Sequence, residues 1–174
     1  MPNWCENQLT VSGPQSDVQA FVQAMRGVPE SWGDPDPHPE QALCFNQAVP
    51  VPDTVVAQGY SPAGYDWCNA HWGTKWEPTL TADVDVVDNT AGASSVCYDF
   101  DTAWCPPDQW FIVVVAQWPT LGFQLRYAEP GTDLFGETVA DHGQVTVETR
   151  IDPSHSVWIA EHFPWVPEFQ ALSE

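Results

Sequence analysis

The chain has 174 residues, with 24 Asp and Glu against 4 Lys and Arg and a formal net charge of −20. Ten Trp, eight Phe and four Tyr within 43% hydrophobic residues supply a core, which excludes wholesale disorder and fits one domain. So few cations disfavour direct binding to nucleic acid or an anionic membrane, and the apolar run Phe111–Ala116 is far shorter than the roughly 18 residues of a membrane helix.

Residues 4–11 read as a strand ending in the turn Ser12-Gly13-Pro14. Ser16-Asp17 opens a helix in which Val18, Phe21, Val22 and Met25 recur at helical spacing, and Gly27 stops it. Prolines make 28–40 a loop. Residues 44–46 and 49–52 read as extended, with a weak helical turn after them. An aromatic stretch follows over 65–76, then alternating strands over 79–87 and 94–104. Pro106-Pro107-Asp108 suits a helix start. The next segment, 111–115, is β-branched and open between strand and buried helix. A strand over 123–128 and a hairpin over 135–140 and 144–151, turning at Asp141-His142-Gly143, complete the domain. This order predicts an α+β fold, a ferredoxin-like split βαβ antiparallel sheet with helices on one face and a C-terminal β-hairpin extension. The expected division is 1–150 for that domain and 151–174 for a tail packed on it, with Trp158, Phe163 and Trp165 as anchors.

The five cysteines (5, 44, 68, 97 and 105) are odd in number and irregular in spacing, and Met1–Glu6 shows no export signal, so they read as reduced thiols of a cytosol. Cys68-x-x-His71 has the spacing of half a zinc site, but no second half follows. No metal or cofactor is expected. No P-loop, G-x-S-x-G, H-E-x-x-H or dinucleotide fingerprint occurs, so no catalytic residue is assigned.

Four local patterns carry a family likeness: Met1-Pro2-Asn3-Trp4-Cys5-Glu6-Asn7; Tyr65-Asp66-Trp67 with Asn69 and Trp72-Gly73-Thr74-Lys75-Trp76; Phe100-Asp101-Thr102-Ala103-Trp104-Cys105-Pro106-Pro107; and Tyr127-Ala128-Glu129-Pro130-Gly131 with Phe135-Gly136. In these the chain resembles the YubB-like family of phage and plasmid proteins. The resemblance runs from residue 1 to about 147 and implies a ferredoxin-like domain, a helix over 107–118 and a mobile-element setting in a bacterial cytoplasm. It supplies no catalytic residues. The scarcity of Lys and Arg departs from the family pattern.

Charge and resemblance together predict a non-enzymatic accessory protein that acts by protein–protein binding. The sharper form is a counter-defence inhibitor whose acids imitate nucleic acid in the groove of a host nucleic-acid-binding or defence protein. Twenty charges match ~34 Å of duplex, close to the ~40 Å diameter of a domain this size. The expected contact residues are Asp83, Asp85, Asp88, Asp133, Glu137, Asp141 and Glu148. A second candidate region gathers Asp66, Trp72, Lys75, Trp76 and Glu129. There Lys75, the sole lysine, either binds a ligand anion against indole faces or neutralises Asp66, Asp101 or Glu129. The alternatives are a small-ligand or metal-dependent enzyme at Trp72–Trp76 and a virion or structural protein. Asn3 and Asn7, beside the first strand, are expected to serve backbone groups.

Overall fold

The computed structural model describes residues 3–36, 38–88, 92–152, 154, 159–160 and 163–164. Strand β1 spans Trp4–Pro14 and alternates strictly, burying Cys5, Asn7, Leu9 and Val11 on one face. Helix α1 (Gln15–Met25) follows directly and buries Val18, Phe21, Val22 and Met25, the stripe its spacing predicts. Strand β4 (Ala93–Ala103) pairs with one side of β1 and β5 (Gly122–Glu129) with the other, both antiparallel. Strands β6 (Leu134–Asp141) and β7 (Gln144–Arg150) extend the sheet beyond β5 as the expected hairpin.

Segment 111–115 is helical: α5 spans Asp108–Gln117 and buries Trp110, Phe111, Val114 and Val115 while Ile112 and Val113 stay exposed. Burial along one helical stripe outweighs the β propensity of three consecutive valines. Helices α1 and α5 cover the same face, Phe21 packing on Tyr98 and Phe123, and Phe111 on Phe123. The fold is the expected α+β arrangement, with strand order β2-β4-β1-β5-β6-β7 and helices on one side.

Two local expectations are corrected. The predicted strand 79–87 is two short pieces, β2 (Thr79–Leu80) and β3 (Val86–Asp88), both on the outer side of β4. Leu80 pairs with Phe100 and Val86 with Val96, so residues 81–85 face only 97–99, and two extra residues bulge from the edge. Asp83 and Asp85 lie in that bulge, where carboxylates reach water instead of continuing a ladder. Phe45 and Asn46, read as extended, instead open a helical turn, α2 (Phe45–Ala48). The carboxylate of Glu77 holds its start by accepting from the backbone N–H groups of Phe45 and Asn46, the latter at 2.9 Å. The weak turn expected further on is α3 (Asp53–Val56), and α4 (Tyr65–His71) occupies the aromatic stretch.

A second, small apolar cluster lies on the sheet face opposite the helices. There Ala128 and Phe135 are covered by Ile159 and Phe163. Trp158 and Trp165 lie outside the described residues.

Candidate functional site

The segment after α4 is anchored at three points. Trp72 is fully buried, donates its indole N–H to Val49 O at 2.9 Å and packs edge-on against Phe45 and Trp67. Thr74 Oγ1 donates to Ala103 O at 3.2 Å, and Tyr60 Oη donates to Lys75 O at 2.8 Å. Gly73 has φ +83°, and a Cβ there would stand 3.0 Å from Asp108 N, so the turn requires glycine. These anchors place Lys75 Nζ 4.1 Å from the centre of the Trp76 ring. Trp76 lies 6.2 Å, centre to centre, from the indole of Trp4, which is 41% exposed. Nearby, Trp104 is exposed and held at φ +74°, its N–H donating to Asn3 O at 3.0 Å.

Trp4 stands on the face of the sheet away from the helices. Side chains two apart on a strand share a face, and paired residues across strands share it too. Glu6 therefore stands beside Trp4, with Asp101 directly across β4, and Gln8 stands opposite Asp99, donating to its Oδ1 at 3.0 Å. Glu6, Asp99 and Asp101, with Thr81 and Ala82, line an open recess of about 430 Å³. Burial pushes the Asp101 carboxyl above the ordinary aspartate range. Thr81 and Ala82 also line a second recess, of about 790 Å³, with Arg26, Asp83 and Asp85. One acidic surface thus runs from the bulged edge round onto the open face, and Arg26 at its margin is paired with Glu40 at 3.9 Å.

Residues 71–162, more than half of the chain, match the family model described as the ferredoxin-like domain in Api92-like protein. The chain belongs to the Api92-like family. The crystal structure of a protein api92 from Yersinia pseudotuberculosis superposes on it with a TM-score of 0.65, at 11% identity, over 87% of this chain and 98% of that one. At that identity the likeness is one of fold. A search of the curated proteins found no match.

The Api92-like sheet separates the acids predicted to act together. Asp83, Asp85 and Asp88 stand at the β2/β3 edge, Asp88 accepting from Ser94 Oγ at 2.7 Å. Glu137 and Asp141 stand on β6 and Glu148 on β7, four and five strand spacings or about 19 and 24 Å away across the sheet. Glu137 is tied to Arg126 at 3.1 Å, and Asp141 to the His142 N–H and ring. Glu148 faces Asp108 across a groove between β7 and α5 and helps raise its carboxyl, after burial. Asp133 is exposed in the left-handed turn before β6.

The second predicted group also divides. Trp72 is core. Asp66 is exposed in the first turn of α4. Glu129 is buried, its carboxylate accepting from Gly131 N at 2.9 Å and from Thr132 Oγ1. Lys75 makes no ion pair among the described residues; its partner is the Trp76 ring. The neighbours that sequence reasoning missed are Trp4 and Glu6. The signal for both was the alternation of β1, which puts them on one face, but only the β1–β4 register brings them to Asp101. All five cysteines are free thiols. Cys68 is buried while His71 stacks on Trp67 at 4.4 Å, and among the described residues no three His, Cys, Asp or Glu side chains are placed to hold a metal. Among the described residues, no helix is long and apolar enough to cross a membrane.

Proposed function

We propose that this Api92-like protein works by binding, not catalysis, and that its acidic β2/β3 edge and adjoining open face engage a basic protein. One observation carries the reading. Asp83 and Asp85 at the bulge are joined through Thr81 and Ala82 to Asp99, Asp101 and Glu6, a continuous acidic surface with Arg26 at its rim. Such a surface attracts the basic groove of a nucleic-acid-binding protein and steers its approach. The motif resemblance to phage and plasmid proteins adds the setting. The partner is a host nucleic-acid-binding or defence protein in the bacterial cytoplasm, and the acids take the place of the nucleic-acid backbone.

The test is affinity capture from a bacterial host lysate, eluted with stepped salt and challenged with duplex DNA. A variant carrying Asp83→Lys, Asp85→Lys and Asp88→Lys is run in parallel. The reading expects a nucleic-acid-processing protein that duplex DNA displaces and the variant fails to hold. Capture indifferent to salt, DNA and charge reversal would overturn it.

A further inference from the structure

We infer that β7 is a self-association edge: a second copy of this chain pairs with it antiparallel about a two-fold axis at Thr149, so that Glu148 of each copy stands opposite Arg150 of the other. This goes beyond the binding of a basic partner and uses the opposite side of the sheet.

The two ends of the sheet are built differently. At one, the edge is broken into β2 and β3, and the bulge holding Asp83 and Asp85 hinders further pairing. At the other, β7 runs for seven residues, all exposed, without a proline and with β-branched side chains at Val145, Thr146, Val147 and Thr149. It is the last strand in the order, so one row of its backbone groups has no neighbouring strand. The ladder says which row. Ile151 N–H donates to Phe135 O at 3.0 Å, so the backbone of Ile151 faces β6. The register runs unbroken from Val147 to Arg150, so Thr149 and Val147 face β6 as well. The N–H and C=O groups of Glu148 and Arg150 therefore point outward.

A second copy related by a two-fold axis must pair outward residue with outward residue. An axis at Val147 sets Thr146 opposite Glu148, but Thr146 is the extra residue of the β6–β7 bulge, where the strand is irregular. An axis at Glu148 or at Arg150 brings that residue against its own copy, like charge on like charge. An axis at Thr149 avoids both faults. Glu148 and Arg150 then meet twice, their outward backbone groups bond reciprocally, and Val147, 48% exposed, lies opposite Ile151 of the second copy on the open face.

The charges support the same register. Of the four Lys and Arg, Arg26 is paired with Glu40, Arg126 with Glu137, and Lys75 lies over Trp76. Arg150 is in no ion pair among the described residues, nor is Glu148, two residues before it on the same face of the strand. The two-fold gives each a partner. Repulsion between two chains of −20 opposes association, but at physiological salt it is screened beyond ~8 Å. The Asp83, Asp85 and Asp88 edge stands on the other side of the sheet and stays open in both copies.

The measurement is sedimentation velocity of the full chain at physiological salt, from about 1 to 300 µM, the range in which a small interface associates. The parent is expected to pass from monomer to dimer. Glu148→Arg and Arg150→Glu each oppose like charges at both contacts and should weaken dimerisation about tenfold or more. Mixed one to one, these two variants are complementary and should associate with each other. The double variant Glu148→Arg, Arg150→Glu keeps the parent's net charge and restores opposite charges, and it should dimerise within about threefold of the parent. Both side chains lie on an exposed edge, and circular dichroism checks that each variant folds. A parent that stays monomeric throughout, whether its edge meets water, the chain's own C-terminal residues or a different protein, would overturn the inference. So would single variants that dimerise like the parent, or a double variant no better than they are, since either places the contact elsewhere.

Discussion

Glu6 and Asp101 are Cα partners across β1 and β4, two carboxylates facing each other on the open side of the sheet. Like charges directly opposite destabilise a ladder, and burial has already pushed the Asp101 carboxyl upward.

Replacing Asp101 with Asn is therefore expected to stabilise the free protein by about 0.5–1 kcal/mol, or roughly 1–4 °C in melting temperature at neutral pH. Below the aspartate range both forms are neutral there and the difference should close. Thermal melts at pH 7 and pH 3 check it; a variant less stable than the parent at pH 7 would refute the like-charge account.

Asn7 has the opposite character. It is buried on the helix side of β1, and its Nδ2 donates to Cys5 O at 2.8 Å, Thr102 Oγ1 at 2.8 Å and Phe100 O at 3.2 Å. Thr102 Oγ1 in turn donates to Cys105 O at 2.7 Å, so the amide ties β1 to the turn after β4. Asn7→Ala strands these buried acceptors and is expected to cost about 2–3 kcal/mol. Urea unfolding measures it, and a cost under half a kcal/mol would mean the network is dispensable.

Much of this was legible in the sequence, and the reasons are local. Strict alternation in β1 and β4 gave both strands and their buried faces, and Val18, Phe21, Val22 and Met25 gave α1. The turn Asp141-His142-Gly143 gave the hairpin, with left-handed φ at His142 and Gly143. What was hidden depends on distant partners. The helical turn at 45–48 exists because Glu77, some thirty residues later, caps it. The break in the edge strand shows only as a register difference against β4. The acids looked like one set along the chain, but strand order sends Glu137, Asp141 and Glu148 to the far side. Trp72 and Lys75 looked like neighbours in a pocket, yet one is core and the other reaches the surface pair Trp4–Trp76.

Gly136 illustrates a constraint that neither charge nor periodicity announces. A Cβ at this position would collide with Tyr127 Oη and stand 2.8 Å from Thr149 O. Tyr127 is buried and β7 lies alongside, so neither yields cheaply. Gly136→Ala is expected to cost about 1–3 kcal/mol. Cζ of the Tyr127 ring stands as close as its hydroxyl, so Tyr127→Leu, which removes both, should recover part of that cost in the double variant. Additive costs in this double-mutant cycle would show that the tyrosine ring is not the obstruction.

Glu77 sets the pH dependence. Its carboxylate accepts from Phe45 N, Asn46 N and, at 3.4 Å, Cys44 Sγ. Burial outweighs these donors and pushes its pKa up from 4.5 to about 7. The folded state therefore keeps a proton that the unfolded chain releases. Stability from this group is fully present below about pH 4.5 and is lost as pH rises towards 7. A shift of that size corresponds to about 3 kcal/mol. The net charge of −20 works in the same direction, since acidification relieves self-repulsion, so the slope of the parent alone does not isolate Glu77. Glu77→Gln does. It keeps an acceptor oxygen for the start of α2 but has no proton to gain or lose. Urea unfolding between pH 4.5 and 7.5 should show the parent losing about 3 kcal/mol more than the variant across that range. Equal slopes would mean that the carboxylate titrates in its ordinary range and that the donors at Phe45 and Asn46 outweigh its burial.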